Sequence, residues 1–230
     1  MRQIVSTSNG SLDSRARIVA FPFAGGSEAS YADMARELGG AFAFTTLSLP
    51  GRGATQHIPF YDDWPSLVDD LTAEVARLDD GTPFFLFGHS LGALLAYEVA
   101  RALEQRGGAQ PAGVFLSGHP APSRERATDA WRQPTHALPD TAFIEAVRRW
   151  GFFPDGALDD ADVARYVLPP LRADLRLAET YRHAPGDALR APCAIYGGAA
   201  DPSTTIDDLR AWRAHVGSQH ACPVETFDGH

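Results

Sequence analysis

The sequence predicts an α/β fold in which a mainly parallel sheet is flanked by helices. Short apolar runs rich in β-branched and aromatic residues, each bounded by glycine or proline, are typical of buried strands: residues 18–21, 42–47, 84–87, 114–116, 193–196 and 224–227. Helical patterns with one apolar face lie between them, over residues 65–78 and 91–103. Strands that alternate with helices indicate βαβ units, and such units build parallel sheets.

One long segment, residues 123–188, interrupts this alternation. It contains no convincing strand, and its helical patterns are interrupted at prolines: Pro134, Pro139, Pro154, Pro169 and Pro170. Its apolar residues exceed what a connecting loop carries, so the segment must pack on another part of the molecule. We therefore expect one domain over residues 1–230 with an inserted helical lid, packed over the sheet edge where ligands bind.

The composition excludes several classes of protein. The chain has 230 residues, of which 44% are hydrophobic and 21% charged, as in an ordinary globular protein. Its apolar runs are far shorter than the roughly 18 residues of a membrane span, and residues 1–17 show no secretion signal. We expect a cytoplasmic protein that does not bind membranes. A net charge of −9 argues against nucleic acid as a partner, because phosphate binding needs a basic face.

A serine lies at a predicted strand-to-helix junction. The pattern G-x-S-x-G runs from Gly88 to Gly92, directly after an apolar strand and directly before an amphipathic helix. This is the nucleophile-elbow context of α/β-hydrolases, in which the glycines permit a sharp turn that has no room for side chains. The helix N-terminus also favours a developing negative charge. The sequence therefore predicts Ser90 as a nucleophile.

A serine nucleophile needs a histidine base and an acid that orients it, and in this fold the acid and then the histidine follow the serine. Asp201 comes directly after the strand at residues 193–196, at the carboxyl edge of the sheet, and is the preferred acid. Asp207 and Asp208 stand at the start of a helical pattern, where carboxylates commonly interact only with the helix dipole.

Three histidines follow Asp201. His215 falls within a helical pattern and His220 precedes the last strand, so both lie at the wrong end of an element to reach Ser90. His230 follows that strand and is the candidate base. An enzyme domain would normally continue into a closing helix here, so we expect the natural chain to extend beyond residue 230.

Two backbone N–H groups are needed to hold the oxyanion of an acyl-transfer reaction. Leu91, directly after the serine, supplies the first. The glycine-rich turn FPFAGGS at residues 21–27, which ends the strand begun at Ile18, is the source of the second. A phosphate-binding loop is the alternative interpretation of these glycines, but the lysine and the spacing of that motif are missing.

Further motifs extend along the chain: FPFAGGS at 21–27, LSLPGRG at 47–53, GHSLGA at 88–93, LPPLRAD at 168–174 and the acid-bearing turn at 197–202. Together they resemble type II thioesterases, the stand-alone α/β-hydrolases that accompany modular polyketide and non-ribosomal peptide synthases. The resemblance implies a triad of Ser90, Asp201 and a C-terminal histidine. It also implies the backbone amides of Ala24 and Leu91 as oxyanion hole and residues 123–188 as the lid over an acyl pocket.

Two positions depart from the family pattern. Phe23 stands where the family commonly has a histidine or a similar residue, which does not matter if only the Ala24 amide is used. The family's last motif usually reads glycine, one variable residue and then histidine, whereas Gly229 is followed directly by His230. Either His230 is the base of a shortened motif, or the next residue along the chain is the base. We favour His230.

The resemblance implies a serine thioesterase that hydrolyses acyl groups from the phosphopantetheine thiol of acyl carrier or peptidyl carrier proteins, and so removes stalled or aberrant chains. It implies no metal and no cofactor. A chain-terminating thioesterase domain excised from a synthase is one alternative, disfavoured because no carrier-protein sequence precedes Ile18. A general esterase or lipase is a second, disfavoured by the other motifs. A hydrolase-fold binding protein with a dead site is the third, disfavoured by the intact serine, acid and glycine-rich loop.

Carrier proteins are generally acidic, so a chain of net charge −9 needs a locally less negative face to bind one. Residues 121–190 hold ten arginines against eleven acids, a net charge of −1, whereas the rest of the chain holds ten against eighteen, or −8. This segment is the predicted docking face. Its candidate contacts are Arg124, Arg126, Arg148, Arg149, Arg172 and Arg176, of which the first four are the ones to test by charge reversal.

Overall fold

The computed structural model describes residues 4–9, 14–39, 41–124, 134–151 and 153–229. Within them, seven strands form one sheet in the order β1-β3-β2-β4-β5-β6-β7. The strands are β1 Val5–Asn9, β2 Ala16–Phe21, β3 Phe42–Ser48, β4 Phe84–His89, β5 Gly113–Ser117, β6 Cys193–Gly198 and β7 Val224–Phe227. β1 runs antiparallel to β3, and the remaining neighbours pair in parallel. The predicted mainly parallel sheet is confirmed.

Helices cover both faces of the sheet. They are α1 Ala32–Leu38, α2 Trp64–Arg77, α3 Leu91–Arg106, α4 Asp140–Arg149, α5 Ala161–Thr180 and α6 Ile206–Arg210. The apolar stripes of α2 and α3 pack with one set of strand side chains in the main core. α1 packs on the opposite face in a smaller cluster with alternate residues of the same strands, such as Ile18, Ala20 and Phe44. Because both faces of the sheet are buried, the strand sequences are nearly continuous apolar runs and do not alternate between apolar and polar residues.

The two helices predicted from periodicity form where their end signals indicate. α2 begins after Asp63, whose carboxylate accepts a hydrogen bond from the Ser66 amide at 2.8 Å. α3 ends at Gly107, which takes a left-handed conformation with φ 67° that a side chain would disfavour. No helix within the described ranges combines the length and apolarity needed to span a lipid bilayer.

The edge strand β1 was not predicted. Its sequence, VSTSN, shows no alternation of apolar and polar residues. The backbone nevertheless pairs with β3 from Val5, opposite Ser48, to Asn9, opposite Phe44. Ladder hydrogen bonds join main-chain groups, so a polar segment can add a strand wherever a neighbouring strand offers a free edge.

The described part of the segment between β5 and β6 contains helices and 3₁₀ turns but no strand, as predicted, and residues 181–188 follow α5 without regular secondary structure. The segment contains α4, α5 and the 3₁₀ turns Thr135–Ala137 and Ala157–Asp159. The interruptions predicted at Pro169 and Pro170 are wrong, because α5 continues through both prolines. Each proline removes a backbone donor from the helix. The buried side chains that follow them on the same face, such as those of Leu171 and Leu175, offset this loss.

Helix α5 of the insertion contacts the loops that follow β2 and β3: Asp174 accepts the Gly25 amide at 2.8 Å, and the Tyr166 hydroxyl accepts the Gly53 amide at 3.0 Å. Phe143, Val147, Leu158, Leu171 and Leu175 form a separate apolar cluster inside the insertion. Ala24, on the loop that follows β2, packs against this cluster as well as against the main core. The insertion therefore has an apolar centre of its own that extends to the glycine-rich turn.

We predict that Leu94→Ala, in the fully buried face of α3, lowers the free energy of unfolding by about 2–5 kcal/mol, because it removes apolar burial and leaves a cavity. Urea denaturation measures the change. Gln105→Ala, on the exposed side of the same helix, is the matched control and should change stability by no more than about 0.5 kcal/mol. An equal change in both variants would contradict the packing described for α3.

Candidate active site

Ser90 lies between the last residue of β4 and the first residue of α3, as predicted. Its backbone has φ 54° and ψ −121°, and it is the single non-glycine residue of the described ranges with a positive φ. Such a conformation costs about 1–3 kcal/mol and persists only where the surroundings enforce it. The Ser90 amide donates to the Ser117 carbonyl at 2.8 Å, and its own carbonyl accepts from Ala93 at 2.9 Å. The hydroxyl thus stands at the N-terminus of a 16-residue helix.

The two glycines of the elbow are required by close backbone approach. A Cβ at Gly88 would overlap the carbonyl of Gly92, and a Cβ at Gly92 would overlap the carbonyl of Phe21 at the end of β2. The start of α3 therefore rests directly on the strand that leads into the glycine-rich turn. This contact brings the amide after Ser90 and the turn at residues 23–26 to the same place.

The turn at residues 23–26 uses the amides of Gly25 and Gly26 in hydrogen bonds. The Gly26 amide donates to the Phe23 carbonyl at 2.8 Å, and Gly25 has φ 78°, the geometry of a type II turn. The Gly25 amide donates to the Asp174 carboxylate at 2.8 Å. Within the described residues, the N–H groups of Ala24 and Leu91 have no hydrogen-bond acceptor. These are the two donors expected for an oxyanion hole.

The Phe23 ring packs on the side of the sheet covered by α1. It makes edge-on contacts with Tyr31 at 6.0 Å and with His89 at 6.2 Å between ring centres. The Tyr31 hydroxyl donates to the Phe21 carbonyl at 2.9 Å, and burial raises the Tyr31 pKa so that this donor keeps its proton. A phenylalanine at this position therefore fills an aromatic cluster below the turn.

Asp201 lies just after β6, at the same carboxyl edge of the sheet as Ser90. Its Oδ1 accepts from the amide of Ser203 at 2.8 Å and from the hydroxyl of Ser203 at 2.6 Å. These bonds fix the carboxylate and leave Oδ2 for another donor. Asp201 also lines a cavity of about 510 Å³ at the ends of β4 to β7, whose walls include Phe87, His89, Tyr196, Glu225, Phe227 and Asp228.

His89, within the elbow, does not serve the serine next to it. Its Nδ1 lies 3.1 Å from the Ser117 hydroxyl, and its ring occupies the space that a side chain at Gly118 would need. Burial lowers the His89 pKa, an effect that the negative charge of Asp201 partly offsets. His119 likewise contacts its neighbour, with Nδ1 2.7 Å from the Pro120 carbonyl. Both histidines therefore make local contacts.

Asp207 and Asp208 belong to the first turn of α6. Asp208 forms a reciprocal capping box with Thr205, and Asp207 pairs with Arg210 at 3.2 Å one turn along the helix. Their carboxylates therefore serve the helix end, as the sequence indicated.

Two of the later histidines lie away from the acid. His215 is buried, with Nε2 2.7 Å from the Ser123 hydroxyl and Nδ1 3.3 Å from the Tyr97 hydroxyl, and burial lowers its pKa to about 4. His220 precedes β7 and so lies at the amino end of that strand. His230 lies outside the described residues. The residue before it, Gly229, accepts a hydrogen bond at 2.9 Å from the amide of Ala200 in the acid-bearing turn.

Sequence reasoning missed the ion pair between Arg52 and Asp174. Both side chains are 3% exposed, and the guanidinium donates to both carboxylate oxygens, at 2.6 and 2.7 Å. The same guanidinium donates to the Gly26 carbonyl at 2.7 Å. Each residue stands in a motif quoted above, LSLPGRG and LPPLRAD, but nothing in either motif indicates the other as its partner.

The predicted docking arginines differ in their surroundings. Arg124 lies 3.5 Å from Asp208, and Arg148 pairs with Asp159. Arg149 is exposed and has no ion-pair partner among the residues that the structure describes. Arg126 lies outside the described residues. Arg172 pairs with Asp140 and Arg176 with Asp62, so four of the six candidates already have an acidic neighbour.

Comparisons with known proteins agree with this geometry. The model of the thioesterase domain family matches residues 16–230. The chain is 35% identical over 204 residues to thioesterase PikA5 of Streptomyces venezuelae, which covers 89% of this chain and 71% of the relative.

Solved structures give the same result. The type II thioesterase BorB from the borrelidin biosynthetic cluster superposes with a TM-score of 0.84 at 31% identity, covering 98% of this chain and 89% of that one. YbtT, the type II thioesterase of the yersiniabactin pathway, gives a TM-score of 0.83 at 29% identity, with 98% and 89% covered. The α/β-hydrolase fold and the resemblance found in the sequence are confirmed, and the chain belongs to the thioesterase domain family, among its type II thioesterases.

Proposed function

We propose that this protein hydrolyses acyl groups from the phosphopantetheine thiol of carrier proteins in a polyketide or non-ribosomal peptide assembly line. One observation carries the proposal: the strained elbow presents Ser90 at a helix N-terminus beside two backbone amides that have no acceptor within the described residues. The relatives support the substrate class, since YbtT is a thioesterase of an NRPS/PKS pathway. Carrier proteins of such pathways work in the cytoplasm, where we expect this protein to act.

In the proposed reaction, the Ser90 hydroxyl oxygen attacks the thioester carbonyl carbon while a histidine takes the hydroxyl proton. The carbonyl oxygen becomes negatively charged and accepts hydrogen bonds from the Ala24 and Leu91 amides. The carbon–sulfur bond then breaks with its electron pair going to sulfur, and the histidine gives the proton to this departing thiolate, which becomes the free thiol. A water molecule repeats the sequence on the acyl-serine and releases the free acid.

Asp201 is the proposed orienting acid. Ser203 holds one carboxylate oxygen, so the other can accept a bond from a histidine ring N–H. A carboxylate in this role selects the histidine tautomer that leaves the second ring nitrogen free to take the serine proton. His230 is the proposed histidine, because it follows Asp201 in the chain and comes soon after β7, which runs parallel to β6 and so ends at the same edge of the sheet as Asp201. The next residue along the chain is the alternative.

We predict that Ser90→Ala abolishes turnover of an acyl-carrier thioester and that Asp201→Asn lowers kcat about 10⁴-fold, because the amide favours the wrong histidine tautomer. Steady-state hydrolysis measures both. Circular dichroism of both variants shows whether the fold is retained.

Asp207→Asn is the matched control, because that carboxylate pairs with Arg210, and its activity should stay within about threefold of the parent. Turnover by Ser90→Ala within tenfold of the parent would contradict the mechanism. A matched oxygen ester, compared with the thioester, distinguishes a thioesterase from a general esterase.

We predict that the substitution His230→Ala, made in a chain extended a few residues past His230, causes loss of hydrolytic activity, because Ser90 then has no base to take its proton. His220→Ala, at the far end of β7, is the control and should leave hydrolysis unchanged. Full activity of the extended His230→Ala protein, together with loss on changing the residue after it, would assign the base to that next residue.

We predict that Arg148→Glu combined with Arg149→Glu raises KM for an acyl-carrier substrate at least fivefold but leaves kcat for a small acyl thioester unchanged. The reason is repulsion of an acidic partner at the insertion. Added salt should weaken the parent's activity on the carrier substrate alone.

Arg36→Glu combined with Arg106→Glu, two exposed reversals on α1 and at the end of α3 that together change the charge equally, is the control for general repulsion. An equal rise of KM for this variant would show that net charge, and not a docking face at residues 121–190, determines binding.

A further inference from the structure

The loop that carries the proposed oxyanion donor is held from both sides by one buried ion pair. Asp174 accepts the Gly25 amide at 2.8 Å, and Arg52 donates to the Gly26 carbonyl at 2.7 Å. Asp174 lies on α5 of the insertion, whereas Arg52 lies in the loop after β3. Three parts of the chain that are distant in sequence therefore meet at the turn that contains Ala24: the turn itself, α5 and the loop after β3.

The Asp174 bond fixes the orientation of one peptide plane. The peptide between Ala24 and Gly25 is the central one of the type II turn, and Gly25 at φ 78° is its third residue. A flip of this peptide would convert the turn towards type I and point the Ala24 carbonyl at the Asp174 carboxylate. Repulsion between two oxygens opposes that flip, so the carboxylate selects the turn conformation. The Ala24 N–H belongs to the preceding peptide, between Phe23 and Ala24, and the fixed turn positions that peptide through the Ala24 Cα.

The ion pair is built to stay in place. Its bonds are bidentate and charge-assisted, and both partners are almost fully excluded from water. Thr55 holds the backbone of the Arg52 loop, because its hydroxyl donates to the Arg52 carbonyl at 2.8 Å and lies 3.0 Å from that of Leu49. Leu171, one turn before Asp174 on α5, also packs on Gly25. Its Cδ1 lies 3.1 Å from the position that a Cβ on Gly25 would occupy.

We propose that Asp174 and Arg52 are positioning residues that hold the Ala24 amide in place to stabilise the oxyanion, so that the oxyanion hole is complete only while α5 rests on the turn. This inference rests on the proposed function, in which Ser90 is the nucleophile and Ala24 a donor. Neither side chain touches the substrate. Their effect is on the stability of the transition state relative to the bound substrate.

The test compares two double variants, each of which replaces both Arg52 and Asp174, so that neither charge is left buried without its partner. Arg52→Met with Asp174→Leu removes the acceptor of the Gly25 amide. Arg52→Met with Asp174→Asn keeps an oxygen there that can accept it. Replacing both charges by apolar groups of similar size avoids an unpaired buried charge. Tyr166→Phe is the control for a general loosening of α5, because the Tyr166 hydroxyl accepts the Gly53 amide at 3.0 Å on the neighbouring loop.

The measured quantities are kcat and KM for a butyryl thioester of N-acetylcysteamine, per active site titrated with a fluorophosphonate, and the Ki of a trifluoromethyl ketone that forms a tetrahedral oxyanion. We expect the Met–Leu variant to lose about 10–100-fold in kcat with KM within threefold, because misplacing a donor costs less than removing one. Its Ki should rise by the same factor as kcat/KM falls. The Met–Asn variant should recover at least half of the loss on a logarithmic scale, and Tyr166→Phe should stay within threefold of the parent.

Several results would overturn the inference. One is a Met–Leu variant with kcat and Ki within threefold of the parent, and another is a loss of kcat without a parallel loss of ketone binding. Equal loss in the Met–Leu and Met–Asn variants would also do so. If the Met–Leu variant does not fold, Arg52→Lys, which keeps the charge but cannot form the bidentate pair, must show parallel losses in kcat and ketone binding for the inference to stand. Failure of the proposed function would be seen separately, as activity of Ser90→Ala.

Discussion

The backbone conformation of Ser90 is the constraint on which the rest of the site depends. A residue with φ 54° between a strand and a helix costs about 1–3 kcal/mol and must be enforced by its surroundings. The enforcement comes from α3, whose inner face is buried along its whole length. Each large apolar side chain on that face contributes about 1.5–3 kcal/mol. Two such residues therefore offset the strain, and the helix start carries the Leu91 amide with it.

The second donor of the site depends on tertiary contacts of another kind. The turn after β2 lies against the start of α3, where Gly92 allows contact with Phe21. It is also bonded to Asp174 and Arg52, which come from α5 and from the loop after β3. A buried ion pair is weak evidence for stability, because desolvation opposes the attraction of the charges. Its geometry is better explained by the need to fix the turn that carries the Ala24 N–H, because it bonds the Gly25 amide and the Gly26 carbonyl of that turn.

The arginines of the insertion make different kinds of contact. Arg172 stacks on Phe143 at 3.9 Å and donates to the carbonyls of His136 and Leu138, so it joins parts of the insertion to one another. Arg148 and Arg124 have acidic neighbours, whereas Arg149 is exposed without one among the described residues. Charge counting along the sequence identifies the least negative segment. It does not distinguish arginines that stabilise the insertion from those that can meet an acidic partner.

The sequence by itself determined the parallel sheet, α2 and α3, the elbow at Ser90 and the position of Asp201, because these depend on local signals: apolar periodicity, helix ends and glycines at fixed spacing. Tertiary structure alone decided what local signals do not encode. β1 forms because β3 offers a free edge, and α5 passes through Pro169 and Pro170 because its apolar face is buried. Arg52 and Asp174 are 122 residues apart, so only the folded chain, which excludes both from water, makes them partners.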